Sequence, residues 1–540
     1  MNFKKNESAQ KLRGGYYTPP DLAEFLVRWV KEIKPTKILE PSCGDGVFFS
    51  AINSVGGMNN AEVLGFELDK VEASKSRKKL EKGTVKSEDF LGWAAARLSD
   101  REAKFDAVLG NPPFVRYQYL PPEFQERSAH IFGLLDCGFT KHTNAWVPFI
   151  LASLALLRPG GRLAMVVPAE IIHVMHAQSL RSYLGRECRR LVIVDPEELW
   201  FEGTLQGAVL LLAEKRHSEA DKSQGVGIYS VRDREFLNLS PADVFAAPNS
   251  INGKTIAGKW TRALLDPATR SLLDGLEEHE HVHLFDDVAS VDVGIVTGAN
   301  KFFLVDNDTV ERYKLHQWAH PMFGRSEHCP GIIYDYKQHK ANAKLGNPTN
   351  FLWFDKEASK SATVRKYIRT GERDELHTRY KCRIRDPWFT VPSVYSTQIG
   401  MLKRSHHMPR LILNKAGAYT TDTAYRIRSK VDAEQLVASF LNPLTALSAE
   451  LEGRHYGGGV LELVPSEIEK MLIPICSSIR FDLKVLDEAV RTKPTEELLD
   501  ANGGSILGGL GVSKADVHTL MSGWEKLRNR RHRVSSEPMA

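Results

Sequence analysis

The 540-residue chain is too long for one ordinary core, so two or three domains are expected. Its 42% hydrophobic and 26% charged residues exclude a disordered or fibrous chain, and no apolar run reaches the roughly 18 to 20 residues that cross a bilayer. A formal net charge of +5 permits a polyanionic partner without demanding one.

Residues 1–13 are polar and lysine-rich with no apolar stretch, so no secretory signal is expected and the chain is placed in the cytoplasm. From Thr36 to about Glu214, short β-rich runs alternate with helical stretches, which predicts a parallel α/β domain. The strands are read at 37–40, 61–67, 105–109, 161–167, 191–194 and 207–212. A core helix covers Ala145 to Leu157, and the turn Arg158-Pro159-Gly160-Gly161 separates it from the next strand. The polar run 216–225 breaks the rhythm. These limits predict a catalytic domain over 1–215, a linker over 216–250 and a second domain over 251–540 with no internal repeat. The basic stretch Glu525 to Arg533 reads as a solvated tail or a phosphate contact. The run Tyr380 to Phe389 interleaves aromatic and basic residues, as either a nucleic-acid surface or a half-buried strand pair would. Cysteines 43, 137, 188, 329, 382 and 476 show neither C-x-x-C pairing nor metal-ligand spacing, so no metal is expected.

After the first strand comes Leu39-Glu40-Pro41-Ser42-Cys43-Gly44-Asp45-Gly46, a Gly-x-Gly turn opening a helix. Glycines there let backbone pass close to a ligand. Glu67, at the end of the next strand, is placed to accept from ribose hydroxyls. A dinucleotide loop would need a third glycine where Phe49 stands, so a nucleoside cofactor without phosphates is favoured, and S-adenosylmethionine is the common one. Asp89 and Phe90 follow the third strand. They read either as a turn or as acceptor and cover for the cofactor's adenine.

Gly110-Asn111-Pro112-Pro113-Phe114 follows the strand 105–109 and is the most specific signal in the chain. Average composition yields Asn-Pro-Pro-aromatic in about one protein of this length in a few hundred. A conjugated exocyclic amine is a poor nucleophile because its lone pair is delocalised. Accepting both of its N–H bonds favours a tetrahedral, reactive nitrogen; the Asn111 side-chain oxygen and the Pro112 carbonyl suit that task, and Phe114 offers a ring for stacking. Consecutive prolines lack N–H donors and hold the loop extended. Attack at C5 of cytosine would need a cysteine nucleophile, commonly presented after proline, and the chain has no Pro-Cys dipeptide.

Taken in order, these motifs resemble the gamma-class, TaqI-like N6-adenine DNA methyltransferases of restriction–modification systems. The resemblance covers residues 14 to 214. It begins with Gly15-Tyr16-Tyr17-Thr18-Pro19-Pro20, a block that in such enzymes precedes the glycine loop and helps hold the methionine end of the cofactor. It implies a Rossmann-like S-adenosylmethionine-dependent catalytic domain followed by a C-terminal target-recognition domain. By the same resemblance, Thr18, Glu40, Ser42, Gly44, Gly46, Glu67, Asp89 and Phe90 bind cofactor, while Asn111, Pro112 and Phe114 take an adenine flipped out of the duplex. Phe201 resembles the family's second aromatic, with ordinary core packing as its other reading. Segments 293–300, 414–427, 454–459 and 472–474 are similar in flavour to target-recognition domains. The expected partner is double-stranded DNA, with a separately encoded endonuclease and a monomeric enzyme. Methylation of RNA or of a protein glutamine is the alternative. Pro20-Asp21 with Glu32-Ile33-Lys34 mimics a nuclease pattern, but on a helix rather than on adjacent strands.

Overall fold

The computed structural model describes residues 17–99, 104–197, 200, 207–252, 258–456, 458–475 and 479–532. The chain forms two compact units, the first reaching Leu265 and the second spanning Asp266–His532.

The first unit is built on an eight-stranded sheet: β1 (Lys37–Glu40), β2 (Glu62–Phe66), β3 (Gly83–Lys86), β4 (Phe105–Gly110), β5 (Leu157–Pro168), β6 (Cys188–Pro196), β7 (Ala208–Lys215) and β8 (Val226–Val231). Their order is β3-β2-β1-β4-β5-β7-β6-β8. β7 runs antiparallel to both its neighbours, β5 and β6, while the remaining pairs are parallel. The six residues of β4 are all buried, as expected of a central strand covered on both faces.

Helix α1 (Pro20–Lys31) starts with proline at its first position, where the missing N–H costs nothing, and carries Asp21 in the first turn and Arg28 and Lys31 in the last. Its residues Leu22, Phe25, Leu26, Trp29 and Val30 recur at helical spacing and are buried. α2 (Val47–Val55), α3 (Lys70–Lys79) and α4 (Phe90–Ser99) follow β1, β2 and β3. α5 (Pro122–Leu134) precedes α6 (Trp146–Ala155), which is buried along nearly its whole length. Pro148 sits in the first turn of α6, where its nitrogen has no intrahelical acceptor to lose. The order of strands reverses between β1 and β4, so the crevice past their C-terminal ends is the place where this kind of sheet accommodates ligands.

Two sequence expectations are corrected here. The turn 158–161 does not precede β5 but lies within it, as a bulge. Pairing with β4 jumps from Phe105↔Leu157 to Ala107↔Arg162, and Gly160 supplies a φ of 71°. Residues 216–250 are not a linker: β8 pairs in register with β6 from Leu191↔Val226 to Pro196↔Val231. The chain after β8 is tied back as well, because Arg190 donates to the carbonyls of Phe245, Ala246 and Pro248. The polar run is thus a loop between two strands of one sheet.

The second unit centres on a five-stranded sheet in the order 289–293, 424–429, 399–402, 411–414, 333–334, with smaller sheets beside it. Two segments singled out from sequence become neighbours there, with Val293 opposite Tyr425 and Asp292 opposite Arg426. Residues 454–456 pair with 460–462, and 472–474 with 282–284. As far as it is described, the basic C-terminal stretch is not a solvated tail. It ends the helix Lys514–His532, where Arg528 packs on Trp524 and pairs with Glu496. Arg531 is fully buried and grips Glu450 in bidentate fashion, at 3.0 and 2.6 Å. Arg533 lies outside the described residues.

Candidate active site

The glycine turn sits at the C-terminal end of β1 and is held from two sides. Cys43 N–H donates to the Phe66 carbonyl at 2.8 Å, and Gly46 N–H to the Cys43 carbonyl at 2.7 Å. Glu67 accepts from Gly44 N–H at 2.9 Å through one oxygen and from Asp69 N–H at 2.8 Å through the other. The loop is therefore held in shape by the chain's own hydrogen bonds. Its two glycines do different work. Gly46, with φ of 86°, caps α2, and a Cβ there would lie 2.9 Å from the Ser76 backbone, so it is needed for packing against α3. Gly44, with φ of 50°, would point a Cβ into open space, which is room left beside the loop.

The crevice is acidic. Glu40 is fully buried, one of its carboxyl oxygens has no hydrogen-bond partner, and burial together with the nearby Asp45 and Glu67 holds its carboxyl well above the usual carboxylate range. Asp45 pairs with Lys79 at 3.0 Å through one oxygen and leaves the other unpartnered. Burial also raises Glu67. Such a cluster is short of positive charge. Asp89 precedes α4, accepting from Gly92 N–H at 2.7 Å and pairing with Arg127 at 3.1 Å. Phe90 is only 2% exposed, with its ring among Phe66, Phe149 and Trp93, so it stands as a core ring rather than an open cover.

The second loop leaves β4 beside the first. Ser42 donates its hydroxyl to the Asn111 carbonyl at 3.0 Å, and Asn111 Nδ2 donates to the Thr18 hydroxyl at 3.2 Å. Pro112 is buried, and Phe114 is half-buried against the core of the sheet. Beyond it, Val115 accepts from Ala145 N–H at 2.9 Å and Tyr117 N–H donates to Asn144 at 3.1 Å. Asn144 and Trp146 both donate to Glu170, at 2.9 and 3.1 Å. Among the described residues no group of three His, Cys, Asp or Glu side chains could hold a metal, and no helix is long and apolar enough to cross a membrane.

A glycine loop and an Asn-Pro-Pro-Phe loop thus meet at the switch point of the sheet. Residues 2–235 match the family described as N-6 DNA Methylase, and residues 257–507 match the C-terminal domain of Type II methyltransferase M.Eco57I. With an N-6 DNA Methylase match over its first part and homologues among the Type II methyltransferases, the chain is a DNA methyltransferase. Type II methyltransferase M.AccI of Acinetobacter calcoaceticus is 22% identical over 492 residues, 88% of this chain and 86% of its own. M.XamI of Xanthomonas campestris pv. amaranthicola is 22% identical over 85% of both chains. M.TthHB8I of Thermus thermophilus is 31% identical over 209 residues, 37% of this chain and 45% of its own length.

The cofactor of this methyltransferase is S-adenosylmethionine. The residues present fit it: the unpartnered oxygens of Glu40 and Asp45 suit a cationic ligand, and the open side of Gly44 leaves it space. The structure brings Thr18, Glu40, Ser42, Gly44 and Glu67 together with Asn111. It ties Thr18 and Ser42 directly to Asn111, a link that the order of motifs does not reveal. Phe201 lies outside the described residues of the methyltransferase. Sequence reading missed Asn144 and Glu170, which brace the far end of the Asn-Pro-Pro-Phe loop. The only signal for them is an acid following a strand, which is too common to single out.

Proposed function

We propose that the protein transfers a methyl group to N6 of adenine in a short duplex-DNA sequence, as a gamma-class modification enzyme. Bound S-adenosylmethionine supplies an electrophilic methyl on a sulfonium, so the chain need only align the amine and accept its protons. Asn111 carries this reading. Its Nδ2 is engaged by Thr18, which turns the side-chain oxygen into the acceptor for one amine hydrogen. The Pro112 carbonyl accepts the other, and Phe114 stacks on the base after it leaves the duplex. Phe201 is assigned to the other face of the base by family resemblance alone. Glu67 takes the ribose hydroxyls, and Asp89 the cofactor's adenine amino group. Residues 266–532 serve as the target-recognition domain. The enzyme works as a cytoplasmic monomer beside a separately encoded endonuclease.

The test is incubation of unmethylated genomic DNA with methyl-labelled S-adenosylmethionine, followed by nucleoside analysis. Label in N6-methyladenine is expected; label in N4-methylcytosine, or none in DNA, rejects the adenine assignment. Asn111→Ala should lower kcat by about 10² to 10³-fold with cofactor affinity unchanged, since a preorganised polar group facing the reacting atom is removed.

A further inference from the structure

In the second unit, the short helix Tyr380–Arg383 and its C-cap Ile384 project two large side chains into solvent: Tyr380 is 63% and Ile384 61% exposed. Four residues apart on one turn, they lie on the same side. Arg379, Lys381 and Arg383 alternate with them, all exposed, and none of the three is ion-paired among the described residues. Lys381 and Arg383 flank the Tyr380 ring, at 5.6 and 5.8 Å from its centroid.

This is not a loose loop. Cys382, between the exposed residues, is buried. Arg385 donates to the carbonyls of Thr297 and Val296 at 2.7 and 2.6 Å. Gly298, with φ of 79°, admits the helix so closely that a Cβ there would fall 2.7 Å from the Lys381 Cβ. Ordinary surfaces cover apolar side chains of this size or leave them singly; here a braced backbone holds two of them out among unneutralised cations.

We propose that residues 379–384 form a DNA-docking ridge. Arg379, Lys381 and Arg383 contact backbone phosphates, while Tyr380 and Ile384 enter a groove. The commitment to DNA rests on charge: three cations without carboxylate partners among the described residues complement a polyphosphate. Apolar side chains beside phosphate-binding cations are the usual means of wedging between base steps. The proposal depends on duplex DNA being the substrate.

The full-length protein would be titrated onto a short fluorescent duplex of mixed sequence at several salt concentrations. Lys381→Gln with Arg383→Gln should weaken binding and flatten the slope of log affinity against log salt by about two, close to 0.9 per lost phosphate contact. Tyr380→Ala with Ile384→Ala should weaken binding about tenfold or more with the slope unchanged, as loss of stacking or wedge contacts does. Both variants should keep wild-type cofactor affinity and melting temperature. Wild-type affinity and slope in both variants would overturn the ridge while leaving DNA methylation standing. Wild-type DNA binding together with lost association of a co-expressed endonuclease would overturn it in favour of a protein partner. A wild-type protein that binds no duplex at all would overturn the substrate and the ridge together.

Discussion

The Thr18 hydroxyl lies 3.2 Å from Asn111 Nδ2, although the sequence assigns this residue to the cofactor. An asparagine amide can point its oxygen or its nitrogen at the reacting amine, and only the oxygen accepts a proton. The hydrogen bond from the nitrogen to Thr18 goes with the orientation that the proposed reaction needs. Thr18→Val should therefore lower kcat by about tenfold, the effect of one lost hydrogen bond, with KM for the cofactor unchanged, and Thr18→Ser should restore it. A raised cofactor KM at constant kcat would return Thr18 to the cofactor site. At this scale Asn111, Pro112, Phe114 and the glycine turn were legible because their chemistry is local and their residue types are rare in that order. The tie between Thr18 and Asn111 was not, since it joins residues 93 positions apart. Nor was the difference between Gly44 and Gly46, which depends on what stands opposite each.

Between elements, Asp106 at the start of β4 ties two other pieces of chain at once. It accepts from Thr36 N–H at 2.6 Å, the Thr36 hydroxyl at 2.7 Å and Lys37 N–H at 2.9 Å, and pairs with Arg158. Burial pushes its carboxyl up, but these hydrogen bonds outweigh burial and bring it down to about 2. A carboxyl depressed in the folded state stabilises the fold above its ordinary pKa and loses that contribution as pH falls through the folded value. Asp106→Asn should cost about 2 kcal/mol at neutral pH, and the gap from wild type should close as pH falls from about 4 to about 2. Chemical denaturation across that range checks it, and a gap independent of pH would mean that packing rather than charge is lost. The six strands read from sequence all formed, because buried strands with helical returns leave a strong pattern. What the pattern could not give is direction or membership. β7 has the same apolar run as a parallel strand, yet it enters antiparallel between β5 and β6. β8 hid behind a polar loop whose composition resembles a linker. The basic stretch at the C-terminus misled for a related reason: Arg531 is buried by a partner, Glu450, that lies 81 positions away.

Across the whole chain, each unit carries its own buried apolar clusters. One gathers Leu26, Trp29, Ile38, Val63 and Leu109 in the first unit; another gathers Phe302, Phe351, Val364 and Ile368 in the second. The loops that hold Glu40, Gly44, Glu67 and Asn111 all belong to the first unit. A ligand that binds only the folded form slows every opening that destroys its site, by about a hundredfold when present at a hundred times its Kd, equivalent to about 2.7 kcal/mol. Native-state hydrogen exchange with saturating S-adenosylmethionine should therefore slow the core amides of β1, β2 and β4 by that factor, while core amides of 289–293, 399–402 and 424–429 exchange as before. Equal slowing in both sets would mean that the chain opens as one cooperative body, so that an injury to the second unit would also weaken cofactor binding. Selective slowing would instead let the second unit vary without disturbing the first.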